Sequence, residues 1–215
     1  MSVKKVALVA CSNGYGHIRR MLILYIALYR LGVQSTIFAP KESVENLCRI
    51  FKIPNTINVV DFRHGGKHKE WNEKFCTNSN FPLLNDYDLI ICDNLVSILI
   101  PYPNAWLSGS FFWHKSLQDF PQEGIVFFDK LLKHTKPKMI TSSLLMPDYL
   151  AEDINLIKVG LSVFGEKIEK KISHSDILIS CGCGGGVELE TQTLIEWVSK
   201  GPKLRDFRVW VEPKM

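Results

Sequence analysis

A short stretch near the amino terminus carries residue types that can bind an anion and move a proton. Gly14 and Gly16 stand three residues and one residue before His17, and Arg20 follows about one helical turn later. Glycine permits positive φ values and a close approach of the backbone to a ligand, so the N–H groups around Asn13 can face an anion. Histidine takes up and releases protons near neutral pH. The spacing therefore predicts an anion-binding turn beside a candidate general base.

The segments that flank this turn predict the elements that hold it in place. Residues 6–10 form a continuous apolar run, which is typical of a strand covered on both faces of a sheet. Residues 17–31 are apolar on nearly every side of a helix, and Gly32 follows, where helices commonly end. A strand, a glycine turn and a helix in this order direct backbone N–H groups towards an anion.

Two common nucleotide-binding motifs fit the residues of this turn less well. The dinucleotide-binding fingerprint requires a third small residue where this chain has Arg19, and no acidic residue clearly ends the next predicted strand. A P-loop requires glycine, lysine and then serine or threonine, and that run is absent from the sequence. A tight turn with a solvated histidine and no catalytic role is the plain structural alternative.

A second candidate residue ends another predicted strand. Residues 88–93 read Asp-Leu-Ile-Ile-Cys-Asp, and Asp93 stands at the carboxyl end of this run. Ligand sites of open α/β sheets lie at that edge. We therefore expect Asp93 to approach the turn after the first strand and to orient the imidazole of His17.

Predicted strands and helices alternate through residues 1–160, which indicates an α/β protein with a Rossmann-like, doubly wound parallel sheet. After a charged linker at 161–175, a second strand, glycine turn and helix occupy 176–215. A complete second α/β domain needs on the order of 100–150 residues. The sequence therefore predicts the start of a second domain, completed by further sequence or by another subunit. The strands predicted in the first domain are 4–11, 34–39, 58–62, 88–93, 105–108, 138–141 and 156–159, and its helices are 17–31, 42–52 and 121–134.

Composition narrows the class of protein. Apolar residues make up 46% of the chain, charged residues 22%, and the formal net charge is +4 with scattered basic residues, so nucleic-acid binding is not indicated. The uncharged run 94–113 is interrupted by two prolines, which argues against a transmembrane segment and leaves only peripheral membrane contact open. No metal site is expected, because Cys181 and Cys183 lack a second pair of ligands. Reduced thiols and the absence of a signal peptide predict a cytoplasmic location.

The motif Gly14-x-Gly16-His17-x-x-Arg20 at the end of a first strand resembles the GT-B glycosyltransferases that act on lipid carriers or small acceptors. It also resembles the UDP-sugar hydrolase of pseudaminic acid synthesis, a relative with the same fold. The resemblance implies a hexosyltransferase of glycan biosynthesis. Its donor is a nucleotide sugar, namely a UDP-sugar, bound as a substrate, and no cofactor is expected.

The resemblance also implies roles for the two predicted domains and for the candidate residues. Residues 1–160 would form the acceptor-side domain and residues 176–215 the beginning of the donor-binding domain. His17 would be the general base, with Asp93 as its partner. Arg20 would add charge near the donor diphosphate or form only a salt bridge at the surface. The residues expected to bind the diphosphate are Asn13, Gly14, Gly16 and Arg20 on one side of a cleft and Gly182, Gly184, Gly185 and Gly186 on the other.

Two alternatives to a transferase use the same residues. A UDP-sugar hydrolase would place water where the acceptor sugar stands. A non-catalytic acceptor-binding subunit would need a separate donor-domain partner. In either the transferase or the subunit case, the 215 residues alone are expected to have little activity.

Two further segments carry candidate residues. The run 108–114 is similar to a small-residue run in GT-B acceptor domains, so Trp113 and His114 are expected to line the acceptor side or to form an aromatic plug. The segment 63–80 is rich in basic residues and predicts a solvated loop or an acceptor contact. His64 and His68 within it have no apparent third partner for a metal ion.

Overall fold

The computed structural model describes residues 3–53, 56–64, 80–116, 120–142, 154–160, 176–179 and 208–211. The chain divides into two compact units, Met1–Phe164 and Gly165–Met215. The division falls within the segment that the sequence predicts as a linker. The acceptor and donor roles of the two units stay predictions.

The first unit is built on a seven-stranded sheet in which every strand pair is parallel. The strand order is β3-β2-β1-β4-β5-β6-β7, so the order reverses beside β1, between β1 and β4. This confirms the predicted Rossmann-like α/β class, in which ligands bind at the carboxyl edge where the order reverses. The strands are β1 Lys5–Ala10, β2 Gln34–Ala39, β3 Val59–Asp61, β4 Leu89–Asp93, β5 Trp106–Ser108, β6 Lys138–Ser142 and β7 Asn155–Val159.

The three helices predicted in the first unit start and end close to where the sequence predicts them. The longest begins two residues earlier than expected, so His17 occupies its third position. Gly32 then follows this helix with φ of 72°, and the N–H of Val33 bonds the Leu28 carbonyl at 3.0 Å, which confirms the predicted glycine end. The helices are α1 Tyr15–Arg30, α2 Lys41–Ile50, a 3₁₀ helix Val96–Leu99, α3 Trp113–Ser116 and α4 Gln122–Thr135.

Helices cover both faces of the sheet, and β1 explains why its sequence is apolar throughout. Val6 and Leu8 point into the core formed with α1 and α2, whereas Ala7 and Val9 point into the core formed with the 3₁₀ helix and α4. All four side chains are fully buried. Because successive side chains of a strand point to opposite faces, a central strand covered on both sides must be apolar at every position.

The second unit is described only by two strands. β8 (Asp176–Ile179) and β9 (Arg208–Val211) pair in parallel, with Asp176 opposite Arg208. The predicted glycine turn with Gly182, Gly184, Gly185 and Gly186 lies outside the described residues, as does the predicted helix at 187–200.

In the part of the chain that the structure describes, no helix combines the length and the apolar character that crossing a bilayer requires. The uncharged run 94–113 contains instead the 3₁₀ helix, β5 and the first residue of α3.

We predict that truncating Leu22 destabilises the first unit strongly. Leu22 is fully buried between α1 and the sheet, so Leu22→Ala leaves a cavity and is expected to lower the free energy of unfolding by about 2–5 kcal/mol. The measurement is urea unfolding followed by circular dichroism. Leu31→Ala is the matched control, because 77% of Leu31 is exposed and its loss should change stability by about 0.5 kcal/mol or less. Equal effects of the two substitutions would contradict the packing of α1.

Candidate functional site

The fold brings His17 and Asp93 together where the strand order reverses. β1 and β4 are hydrogen-bonded neighbours, and Ala10, the last residue of β1, is the register partner of Asp93. Because α1 begins only a few residues after Ala10, its first turn lies over the end of β4. His17 Nδ1 is 2.7 Å from Asp93 Oδ1. The side chain of Asp93 is fully buried, and 8% of the His17 side chain remains exposed.

Arg20 binds the same carboxylate through both of its oxygens. Its Nε donates to Asp93 Oδ2 at 2.7 Å, and its Nη2 donates to Oδ1 at 2.7 Å. Ser108, at the end of β5, adds a hydroxyl bond to Oδ2 at 3.1 Å. A buried carboxylate needs such partners, since burying an unpaired charge is costly. The paired geometry is the strong, planar arrangement that arginine forms with carboxylates.

The contacts of His17 indicate which ring nitrogen carries its proton. An ionised carboxylate can only accept hydrogen bonds, so the 2.7 Å contact with Asp93 requires a proton on Nδ1. Arg20 Nη2 is also 3.0 Å from Nδ1, but if Nδ1 were the acceptor of this donor, its 2.7 Å contact with the carboxylate of Asp93 would hold no proton. In a neutral ring the lone pair then lies on Nε2. This tautomer, assigned from the partners, leaves Nε2 able to accept a proton.

The structure brings together three residues for which the sequence predicts roles, namely His17, Asp93 and Arg20. The ion pair of Arg20 is with the buried Asp93, not with a surface group, although 33% of the Arg20 side chain is exposed. His17 and Asp93 lie in contact, as expected from the ends of their strands. Their catalytic roles, and the role of Arg20 as a diphosphate ligand, stay predictions.

The glycine turn has the conformation that glycine allows and leaves the start of α1 without a side-chain cap. Gly14 adopts φ of 122° and is the residue before α1, and as a glycine it provides no side-chain hydrogen bond to the first N–H groups of the helix. In the described part of the chain, a Cβ added to Gly16 would meet no atom within 4 Å. Asn13 donates its backbone N–H to the thiol of Cys11. Binding of a diphosphate by Asn13, Gly14 and Gly16 stays a prediction.

His64 fastens the other side of this turn, a contact that the sequence does not predict. The N–H of Ser12 donates to the His64 carbonyl at 2.9 Å, and the N–H of His64 donates to Ser12 Oγ at 2.9 Å. The His64 ring packs against Phe62 and Phe81, and burial lowers its pKa to about 4. His64 is therefore a neutral residue that anchors the turn. Across the described ranges, no three potential ligands cluster as a metal site would require.

Asn94 positions an aromatic ring beside His17. In the orientation that satisfies its amide, Asn94 donates to the Phe111 carbonyl at 2.6 Å and accepts from Trp113 Nε1 at 3.1 Å. The Trp113 and His17 rings have their centroids 6.0 Å apart. Asn94 itself has φ of 60°, a left-handed conformation that asparagine tolerates better than most residues. That tolerance is the only sequence signal that could have singled out Asn94.

His114 belongs to the core, unlike its neighbour Trp113. Its ring packs among three phenylalanines, and its Nε2 is 3.2 Å from Asp129 Oδ1. Burial lowers the His114 pKa to about 4 and outweighs the opposing effect of Asp129. His114 is therefore part of an aromatic plug, which is one of the two predicted arrangements. Trp113 lies beside His17, and its place on an acceptor side stays a prediction. The phenylalanines are Phe112, Phe120 and Phe128.

Comparisons with models of protein families, with curated proteins and with solved structures found no match to this chain. The functional interpretation therefore depends on the residues of the cluster and on the motif around the glycine turn.

We predict that acid destabilises the first unit through its buried histidines. The His64 and His114 pKa values in the folded chain lie near 4, below the ordinary value of 6.5. The unfolded state therefore binds more protons between these values, and the free energy of unfolding falls as the pH is lowered from about 6.5 to about 4. Each histidine is expected to contribute at most about 3 kcal/mol to this loss.

Comparison of His114→Phe with the wild-type chain measures that contribution. Urea unfolding is recorded at both ends of this pH interval, and His114→Phe should lose less stability across it, because the ring that must stay neutral is gone. The control is His134→Phe, since His134 is an exposed residue of the same helix α4. If His114→Phe and the wild-type chain lose equal stability, burial does not hold His114 neutral.

Proposed function

We propose that the first unit is the acceptor-side half of a GT-B type glycosyltransferase, with His17 as the general base. The observation that supports this proposal is the contact of His17 Nδ1 with the buried Asp93 at the carboxyl edge of the sheet. It lies where the strand order reverses, the usual position of a ligand site in such folds. The resemblance of the motif around Gly14, Gly16, His17 and Arg20 supplies the reaction class.

Energetics favour a functional cluster over a purely structural one. Replacing a buried ion pair by apolar residues is often neutral or stabilising, so a buried pair is weak evidence for a role in stability. The surrounding strands β1 and β4 are otherwise apolar at their buried positions. A charged pair placed at the ligand-binding edge of such a sheet, with a histidine against it, is a candidate for proton transfer.

The proposed reaction assigns one step to each group. Nε2 of His17 takes the proton from an acceptor hydroxyl, whose oxygen forms a bond to the anomeric carbon of the sugar. The bond from that carbon to the nucleotide diphosphate breaks, and the diphosphate leaves with its electron pair. Asp93 stabilises the imidazolium that forms. The N–H groups at Gly14 and Gly16 lie at a helix start, where they favour an anion.

A sugar-nucleotide hydrolase is the nearest alternative, because water can replace the acceptor hydroxyl without any change in these residues. A non-catalytic acceptor-binding subunit would keep the fold and would not need Nε2 of His17. The two alternatives differ in what products appear and in whether His17 matters.

We predict that His17→Ala abolishes sugar transfer and leaves the fold intact. Loss of a general base should lower the rate by about 10²–10⁴. The assay follows release of UDP from UDP-sugars, with and without a mixture of lipid-linked and small sugar acceptors. It uses the product of the complete gene, together with a separate donor-binding subunit if the gene encodes none. Circular dichroism checks the fold, and His134→Ala is the control because His134 is exposed.

The products separate the remaining functions. A transferase releases UDP only when an acceptor is present and joins the sugar to it. Rapid release of free sugar without an acceptor would identify a hydrolase. A folded His17→Ala variant that keeps most of its activity would contradict the role of His17 as the base.

A further inference from the structure

We propose that Arg20 is a positioning residue that keeps His17 neutral, with its proton on Nδ1 and its lone pair on Nε2. It does so by binding both oxygens of Asp93 from the same helix that carries His17. The use of that lone pair in catalysis rests on the proposed function. The effect of Arg20 on the protonation of His17 does not, and it can be measured without a substrate.

The carboxylate of Asp93 carries a buried charge that a cation must balance. A fully buried carboxylate is stable only beside a cation, and two groups in contact with it could provide one, namely Arg20 and a protonated His17. Burial alone would lower the Arg20 pKa, but the hydrogen bonds and charge of Asp93 outweigh burial and leave that pKa raised. Arg20 is therefore the permanent cation, and Asp93 does not need a second one.

The position of the guanidinium adds a repulsive element. Arg20 Nη2 is 2.7 Å from Asp93 Oδ1 and only 3.0 Å from His17 Nδ1. A positive charge this close to the ring disfavours an imidazolium. A neutral His17 ring whose Nδ1–H donates to Asp93 has no net charge for the Arg20 guanidinium to repel. Arg20 thus permits the hydrogen bond that fixes the tautomer and opposes the protonation that would remove the lone pair.

The other groups near His17, Asp93 and Arg20 add no charge at neutral pH. Two thiols lie near Asp93, those of Cys11 and Cys92. Burial raises the pKa of Cys11 to about 11 and that of Cys92 well above its ordinary value, so both thiols are uncharged at neutral pH. Ser108 from β5 and Trp113 from α3 carry no charge. The charged groups that the described contacts of His17 include are therefore Asp93 and Arg20.

Arginine combines a permanent positive charge with several hydrogen-bond donors. Its planar fork reaches both carboxylate oxygens at once. Lysine keeps the positive charge as a single point, and glutamine keeps a hydrogen-bond donor without the charge. Comparing the two substitutions therefore separates the charge of Arg20 from its hydrogen bonds.

The test is nitrogen NMR of the histidine rings in the full ¹⁵N-labelled chain, recorded as a function of pH. The His17 signals are identified by comparison with His17→Ala. In the wild-type chain at neutral pH, we expect a neutral His17 ring protonated at Nδ1. In Arg20→Gln, Asp93 loses its cation, so the His17 ring should hold a second proton up to a higher pH than in the wild-type chain. In Arg20→Lys, the titration should stay close to that of the wild-type chain.

Arg30→Gln is the matched control, because Arg30 is an exposed arginine at the other end of α1. It should leave the His17 titration unchanged. An unchanged His17 titration in a folded Arg20→Gln variant would mean that Arg20 has only a structural role, and it would overturn the proposal. If Arg20→Gln does not fold, the wild-type chain still decides, since a His17 protonated at Nε2 or at both nitrogens at neutral pH would overturn it.

These results are distinguishable from a failure of the proposed function. The NMR measurement contains no sugar nucleotide, so its outcome does not depend on which reaction the protein catalyses. Conversely, a protein without glycosyl transfer could still show the expected tautomer and its dependence on Arg20.

Discussion

The completely buried carboxylate of Asp93 is the constraint on which the site depends. It accepts four hydrogen bonds, from His17, twice from Arg20, and from Ser108. These donors come from α1 and from the end of β5, so one side chain ties a helix start to two neighbouring strands. Because an unpaired buried charge is costly, the positions of His17 and Arg20 follow from the need to satisfy Asp93. The position of the His17 ring thus follows from the electrostatic cost of burying the Asp93 carboxylate away from water.

The sheet explains why this carboxylate can be buried at an edge that ligands approach. Parallel strands β1 and β4 end side by side, and α1 starts directly above them. The glycine turn that joins β1 to α1 is held by reciprocal backbone and hydroxyl bonds between Ser12 and His64. Reversal of the strand order at this point leaves the crevice in which α/β proteins bind ligands. The topology therefore places His17, Asp93 and the glycine turn at one edge of the sheet.

Three buried histidines of the first unit have different surroundings, and these surroundings set what each ring can do. His64 and His114 lie among aromatic rings, and burial lowers the pKa of each to about 4. Both serve packing and hydrogen bonding as neutral rings. His17 is also buried, but it lies against a carboxylate that an arginine has already balanced. Of these three histidines, His17 is the one that combines a directed hydrogen bond on one ring nitrogen with a place at the carboxyl edge where the strand order reverses. The proposed chemistry is therefore assigned to it.

The sequence by itself determined the elements of the first unit, because strands buried on both faces must be apolar throughout and because Gly32 marks the end of α1. It also predicted a contact between His17 and Asp93, because Asp93 ends one predicted strand and His17 comes shortly after the end of another. Only the tertiary structure decided what Arg20 binds, that His64 fastens the glycine turn, and that Asn94 holds Trp113 beside His17. The first two of these contacts join residues 73 and 52 positions apart. A local pattern carries no information about such partners, which are chosen by strand register and by the requirement that every buried polar group be satisfied.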